Sequence, residues 1–252
     1  MCLALLALDA HPLYSVVVAA NRDEHHARPT APAAWWDEGW LAGRDLRAGG
    51  TWLGVTRAGR FAFLTNVRDP ASNNTAAPSR GSLVPSILSD TSDVATSLER
   101  VRSAGACHNG FNLLAGTPSG AAWTSNRSPD VTVLERGTYG LSNALLDSLW
   151  PKLVRTKAAL AEWLARGETD PEPLFTALAD RTLAVDADLP ATGVTLEWDR
   201  RLSAPFIVSD GYGTRSSTIL TIDRDGDTRF VERSFDAGGL RTGQVDHRFR
   251  IG

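Results

Sequence analysis

Residues 1–9 read MCLALLALD, and residues 14–20 read YSVVVAA. An unbroken apolar run such as 2–8 fits a strand buried on both faces or a segment of buried helix. The second run is rich in β-branched residues, and His11-Pro12 marks a turn between the two. Two short apolar strands joined by a turn form a hairpin. The second strand ends abruptly in Asn21-Arg22-Asp23-Glu24. Cys2 heads the first strand and is therefore expected at the same sheet edge as that polar cluster. On position alone Cys2 also reads as a small buried hydrophobe, as most free cysteines are.

Hairpins recur along the chain. Residues 27–40, ARPTAPAAWWDEGW, are expected to form an ordered loop, because so much aromatic surface is not left in water. Gly49-Gly50 reads as a turn that opens a second hairpin, TWLGVT at 51–56 and RFAFLTN at 60–66, around Ala58-Gly59. Residues 68–80 read as a surface loop. Helices are expected over 81–89 and 91–104, and a hairpin over 110–117 and 121–126. Short strands follow near 131–135 and 138–142, ending in Ser142-Asn143. Pro151 starts the clearest helix, which runs to about Ala165 with Gly167 beyond it. A second helix is expected over 171–181, an irregular stretch over 182–204, and strands at 206–209, 215–222 and 228–235. Hairpins outnumber strand–helix–strand units, which predicts an α+β protein with mostly antiparallel sheets. One domain over 1–252 is the simplest reading.

Composition limits the partners. Hydrophobic residues make up 42% and charged residues 22%, with a formal net charge of −3. No basic excess points to nucleic acid. No stretch approaches the ~20 apolar residues of a membrane helix. Cys2 and Cys107 are the two cysteines, too few for a disulfide scaffold. The apolar start lacks the basic residues of a signal peptide, so a cytoplasmic location is expected.

Three strands end in side chains that handle charge or hydrogen bonds: Arg22-Asp23, Asn66 and Asn143. A fourth begins with one, Arg215. Gathered at one edge with Cys2, these groups suit acyl transfer. Cations lower a thiol pKa and favour the nucleophilic thiolate. Loss of Met1 would free the α-amine of Cys2, whose ordinary pKa of about 7.7–8.0 suits a base near neutrality. Asp23 can hold that amine, and Asn66 and Asn143 can donate to an oxyanion. Taken singly, Arg22 and Asp23 also read as an ion pair at a turn, and both asparagines as turn residues.

The blocks MCLALLALD, AANRDEHHARPTAPAAWW, GGTWLGVTRAGRFAFLTN and YGLSNALLDSLWPK resemble the NRDE family, the transport and Golgi organisation protein 2 group. That family is similar in turn to N-terminal-nucleophile hydrolases of the choloylglycine hydrolase and penicillin V acylase type. The resemblance implies a four-layer αββα sandwich. By resemblance, the catalytic roles fall on Cys2, Arg22, Asp23, Asn66, Asn143 and Arg215, and no cofactor is required.

Asn21 and Glu24 belong to the signature without a counterpart in the hydrolase set, and are candidate ligand contacts. His25 and His26 read as surface-loop residues or as ligands for a haem iron. Trp52 can wall a pocket for a ligand with an apolar portion, such as an acyl amide, acyl-coenzyme A or haem. Cys107-His108 reads as structural. Two functions are expected: an amide hydrolase or acyltransferase with Cys2 as nucleophile, or a binding and trafficking protein that uses the same pocket.

Overall fold

A computed structural model describes residues 2–252, with Cys2 described by its main chain alone. The first half runs β1 (Cys2–Leu8), β2 (Tyr14–His25), β3 (Thr30–Trp35), β4 (Trp40–Asp45), β5 (Leu53–Thr56), β6 (Phe61–Asn66), α1 (Leu83–Leu88) and α2 (Val94–Ala104). It continues through β7 (Phe111–Thr117), β8 (Gly120–Ser125), β9 (Thr132–Leu134), β10 (Gly137–Leu141), α3 (Pro151–Ala165), α4 (Glu172–Leu178) and α5 (Leu196–Arg201). β11 (Val208–Ser209), β12 (Tyr212–Asp223), β13 (Asp227–Phe235) and β14 (Arg241–Arg250) complete it.

The strands form two antiparallel sheets. The first has the order β10-β1-β2-β12-β13-β14, with β11 added to β12. The second runs β3-β4-β5-β6-β7-β8-β9 in sequence order. The sheets pack face to face over Ala4, Leu6, Val16, Val18 and Leu220 from one side and Leu53, Val55, Phe61, Phe63 and Leu114 from the other. The opposite face of the first sheet, through Leu3, Leu5, Val17 and Ala19, packs on Leu153, Leu160 and Trp163 of α3 and Leu174 and Leu178 of α4. The outer face of the second carries Val84 and Ile87 of α1 and Leu98 of α2. The result is an α+β, four-layer αββα sandwich. It explains the opening run: β1 has a helix layer on one face and the partner sheet on the other, so every position from Leu3 to Leu8 is buried.

Several elements differ from the sequence expectation. Residues 27–40 are not a loop throughout, since β3 occupies 30–35 and β4 begins at Trp40. Pro32 is tolerated because β3 is an edge strand and its register with β4 shifts between Ala31 and Ala34. β2 continues through Asn21-Arg22-Asp23-Glu24 to His25, so the signature lies within a strand. The stretch 182–204 contains α5, whose N-cap Thr195 accepts from Trp198 N–H. β14 was not anticipated. Its exposed positions alternate with half-buried Val245, His247 and Phe249, as suits an edge strand.

Candidate active site

Strand register assembles the site. Cys2 pairs with Arg22 across β1 and β2. On the other side of β1, Ala4 pairs with Leu141, and Asn143 lies two residues past that position. The backbone of Cys2 therefore stands between Arg22 and the segment that delivers Asn143. On the far side of β2, Asp23 pairs with Thr214 and Arg22 with Ser216. The residue between, Arg215, is set out of register by a β-bulge, a device that re-aims a side chain.

Alternation along β2 splits the signature between two faces. Arg22 points toward the second sheet. Its guanidinium lies 4.4 Å over the Trp52 ring, its Nη1 donates to Thr30 Oγ1 at 2.9 Å, and its Nη2 stands 3.9 Å from Glu24. Glu24 accepts from the His25 N–H at 2.9 Å. Burial opposes its charge, but that bond and the guanidinium groups of Arg22 and Arg28 hold its carboxyl below the usual range.

Asp23 is buried and accepts from the Thr214 hydroxyl at 2.7 Å. Burial pushes its carboxyl up, and the charge of Lys152 is the foremost influence pulling it back. Asn21 points the same way but into the protein. Its amide donates to the carbonyls of Leu178 at 2.8 Å and Pro205 at 2.9 Å, and its oxygen accepts from Ser217 at 2.6 Å. Those three bonds occupy the carboxamide. Asn21 thus braces β2 against the end of α4 and the segment before β11.

The two remaining asparagines meet across the sheets. Asn143 donates to the main-chain carbonyl of Asn66 at 2.9 Å, and its own carbonyl accepts from Arg68 N–H at 2.7 Å. Asn143 Oδ1 stands 3.5 Å from Lys152 Nζ.

A cavity of about 350 Å³ opens at this end of the sandwich. Arg22, Asp23, Glu24, Trp52 and Asn66 line it, together with Arg28, Asp45, Arg47 and Arg80. Trp52 and Leu64 supply apolar wall, but the lining is mainly polar and rich in arginine. Arg28 is committed to Asp45 at 2.7 Å. Asn143 lines a neighbouring open groove with Val67, Ala144, Leu145 and Trp150.

Arg215, His25 and His26 do not line this cavity; Arg215 lines another of about 370 Å³ with Thr30, Ser216 and Glu232. Arg215 Nη1 donates to the carbonyls of His25, His26 and Arg28 at 3.1–3.2 Å, so it holds the turn after β2 in place. His25 is exposed and meets the Tyr212 ring edge-on, and His26 packs beside Gly213. Among the described residues, no group of three or more His, Cys, Asp or Glu side chains is placed to hold a metal ion.

Sequence reasoning missed Arg28, Asp45, Arg80 and Lys152. Arg28 and Arg80 reach the cavity from the connections between elements, and Asp45 from the last position of β4. Lys152 left a signal: it lies four residues before Thr156 and eight before Leu160, on the buried stripe of α3. A charge on such a stripe calls for an explanation.

This architecture is that of the N-terminal-nucleophile hydrolases. A mutant of the conjugated bile acid hydrolase from Clostridium perfringens superposes with a TM-score of 0.52 at 9% identity, covering 100% of this chain and 97% of that one. The N-acylethanolamine-hydrolyzing acid amidase ortholog of Caenorhabditis elegans also gives 0.52, at 10% identity, over 87% of this chain and 92% of its own. At such identities the likeness is one of fold. The chain itself belongs to the transport and Golgi organisation 2 family, whose family model matches residues 1–237. The Bos taurus transport and Golgi organization protein 2 homolog is 35% identical, over 100% of this chain and 99% of its own length. The human homolog is 36% identical over 93% of each, and the Drosophila melanogaster protein 26% identical over 93% and 92%.

Proposed function

We propose that this protein is an N-terminal-nucleophile amide hydrolase or acyltransferase that acts on a non-peptide C–N bond of a small molecule, with Cys2 as nucleophile. The observation that carries the reading is the register: Cys2 pairs with Arg22, next to buried Asp23, at the end of the sandwich where Asn66 and Asn143 meet.

Removal of Met1 frees the α-amine, which takes the thiol proton. Arg22 favours the thiolate, and Asp23 holds the aminium. The thiolate attacks the acyl carbon, and Asn66 and Asn143 donate to the oxyanion. The C–N bond breaks as the aminium returns its proton to the leaving nitrogen. Water, or an acceptor amine in transfer, then attacks the thioester and regenerates the thiol.

The arginines that line the cavity favour a second reading as well, binding of an anionic ligand without turnover. Acyl-coenzyme A fits that chemistry. Haem carries the anionic groups too, but iron ligation by His25 or His26 would have to occur outside the cavity that these arginines line.

One set of measurements separates the readings. Intact mass of cell-made protein is expected to show loss of Met1, and Cys2→Ala to abolish turnover of a panel of acyl amides. Full activity of a protein that retains Met1, or of Cys2→Ala, overturns the hydrolase reading. Saturable binding of acyl-coenzyme A with no turnover of any amide establishes the second.

A further inference from the structure

Lys152 is 1% exposed and is the second residue of α3. A buried ammonium costs several kcal/mol unless it is paired. A cation in the first turn also meets the positive end of the helix dipole. Packing alone would be served by an apolar residue here, because the same stripe continues through Thr156, Leu160 and Trp163. What the lysine faces explains it.

Lys152 Nζ stands 3.5 Å from Asn143 Oδ1. A lysine only donates, so the carboxamide must present oxygen to it and nitrogen to the other side. On that other side Asn143 Nδ2 donates to the Asn66 carbonyl at 2.9 Å. That bond uses one N–H and leaves the second for a ligand. The reversed amide would set an N–H against the ammonium and an oxygen against a carbonyl. Lys152 therefore fixes the one orientation in which Asn143 is a donor. The charge of the same ammonium also acts on Asp23, which accepts from the Thr214 hydroxyl in β12 and feels the charges of Arg22 in β2 and Arg68 after β6.

We propose that Lys152 is a positioning residue of the candidate active site: from 3.5 Å it turns the Asn143 carboxamide to donate, and it adds a buried positive charge to the surroundings of Asp23. The catalytic consequence rests on the hydrolase reading; the contact with Asn143 does not.

The test is chosen to keep them apart. Lys152→Met preserves length and apolar fit and removes the charge. Carbon-13 NMR of the aspartate carboxyls, with Asp23 assigned by its loss in Asp23→Asn, is expected to show the Asp23 midpoint rising in Lys152→Met. Lys152→Arg is expected to restore it. The side-chain amide protons of Asn143 are expected to exchange faster in Lys152→Met than in the wild type. Should Lys152→Met fail to fold, the reciprocal variant serves: Asp23→Asn is expected to shift the Lys152 Nζ resonance. An unmoved Asp23 midpoint with unchanged Asn143 exchange, or an unmoved Nζ resonance, overturns the proposal. If acyl amides are turned over, Lys152→Met is expected to lower kcat by about 10²–10³-fold with KM within about twofold. If none is, the NMR shifts still decide the role of Lys152 while the hydrolase reading falls.

Discussion

Asn143 reaches across the sandwich to the main-chain carbonyl of Asn66 at 2.9 Å, and so ties the end of the first sheet to the end of β6 in the second. The two asparagines contribute unequally. Asn66 offers its backbone, whereas Asn143 offers its side chain. Asn143→Ala is expected to leave the Asn66 carbonyl and the Lys152 ammonium short of a partner and to cost about 1–3 kcal/mol. For a chain of this size that lowers Tm by about 2–4 °C per kcal/mol. Asn66→Ala keeps the carbonyl and is expected to leave Tm nearly unchanged while it removes a polar group from the cavity. Equal Tm losses in the two variants would contradict this division of roles.

Asn21 stands beside Arg22 in the signature but serves the fold. Asn21→Ala strands the carbonyls of Leu178 and Pro205 and the Ser217 hydroxyl, all bonded to it in the folded protein. The expected loss is about 1–3 kcal/mol or more. Urea midpoints measure it. Affinity for a cavity ligand, assayed well below the midpoint, is expected to match the wild type. A variant that folds normally but binds weakly would return Asn21 to the site.

Apolar runs and register explain what was legible in the sequence. β1 and β2 are buried on both faces, so their composition is uniform, and their antiparallel pairing alone sets Cys2 opposite Arg22. Asn66 was legible as the end of a strand, and Asn143 as the residue just beyond one. Other parts carry no such signal. β3 is disguised by Pro32 and its bulge, and β14 by the polar outward half of an edge strand. Arg28 and Arg80 reach the cavity through connections whose path depends on tertiary packing, and Asp45 does so from the very end of β4. Arg215 looked like the start of a strand near the site. The bulge at that position instead directs its guanidinium to three carbonyls of the turn at 25–28. The two histidines follow the signature directly but do not line the cavity that Arg22, Asp23 and Glu24 line.

Gly43 sets how closely β4 approaches the cavity wall. A Cβ there would fall 2.4 Å from two ring carbons of Trp52. Gly43→Ala is therefore expected to displace Trp52 from beneath Arg22 and to cost about 1–3 kcal/mol through overpacking. Gly120→Ala is the control, because an added Cβ there meets nothing within 4 Å. Thermal unfolding is expected to separate the pair clearly, with Gly120→Ala within about 0.5 kcal/mol of wild type. Trp52→Leu together with Gly43→Ala is expected to recover part of the loss, and no recovery would place the clash elsewhere.

Glu232 gives the sandwich a dependence on pH. It is 1% exposed between the sheets, where it accepts from Ala33 N–H at 2.7 Å and from the Thr218 hydroxyl at 3.2 Å. Burial pushes its carboxyl up from 4.5 to about 7, against those bonds and the charge of Arg22. The folded state thus binds the proton more tightly than the unfolded chain. Stability from this group is complete below the unfolded pKa of 4.5 and is lost as pH rises through about 7. Glu232→Gln stays neutral and keeps the volume. The variant is expected to gain stability relative to wild type between about pH 5 and pH 8, read as a widening gap in urea midpoints. A gap that stays constant over that range would mean that Glu232 titrates alike in both states, and one that narrows would reverse the sign of its shift.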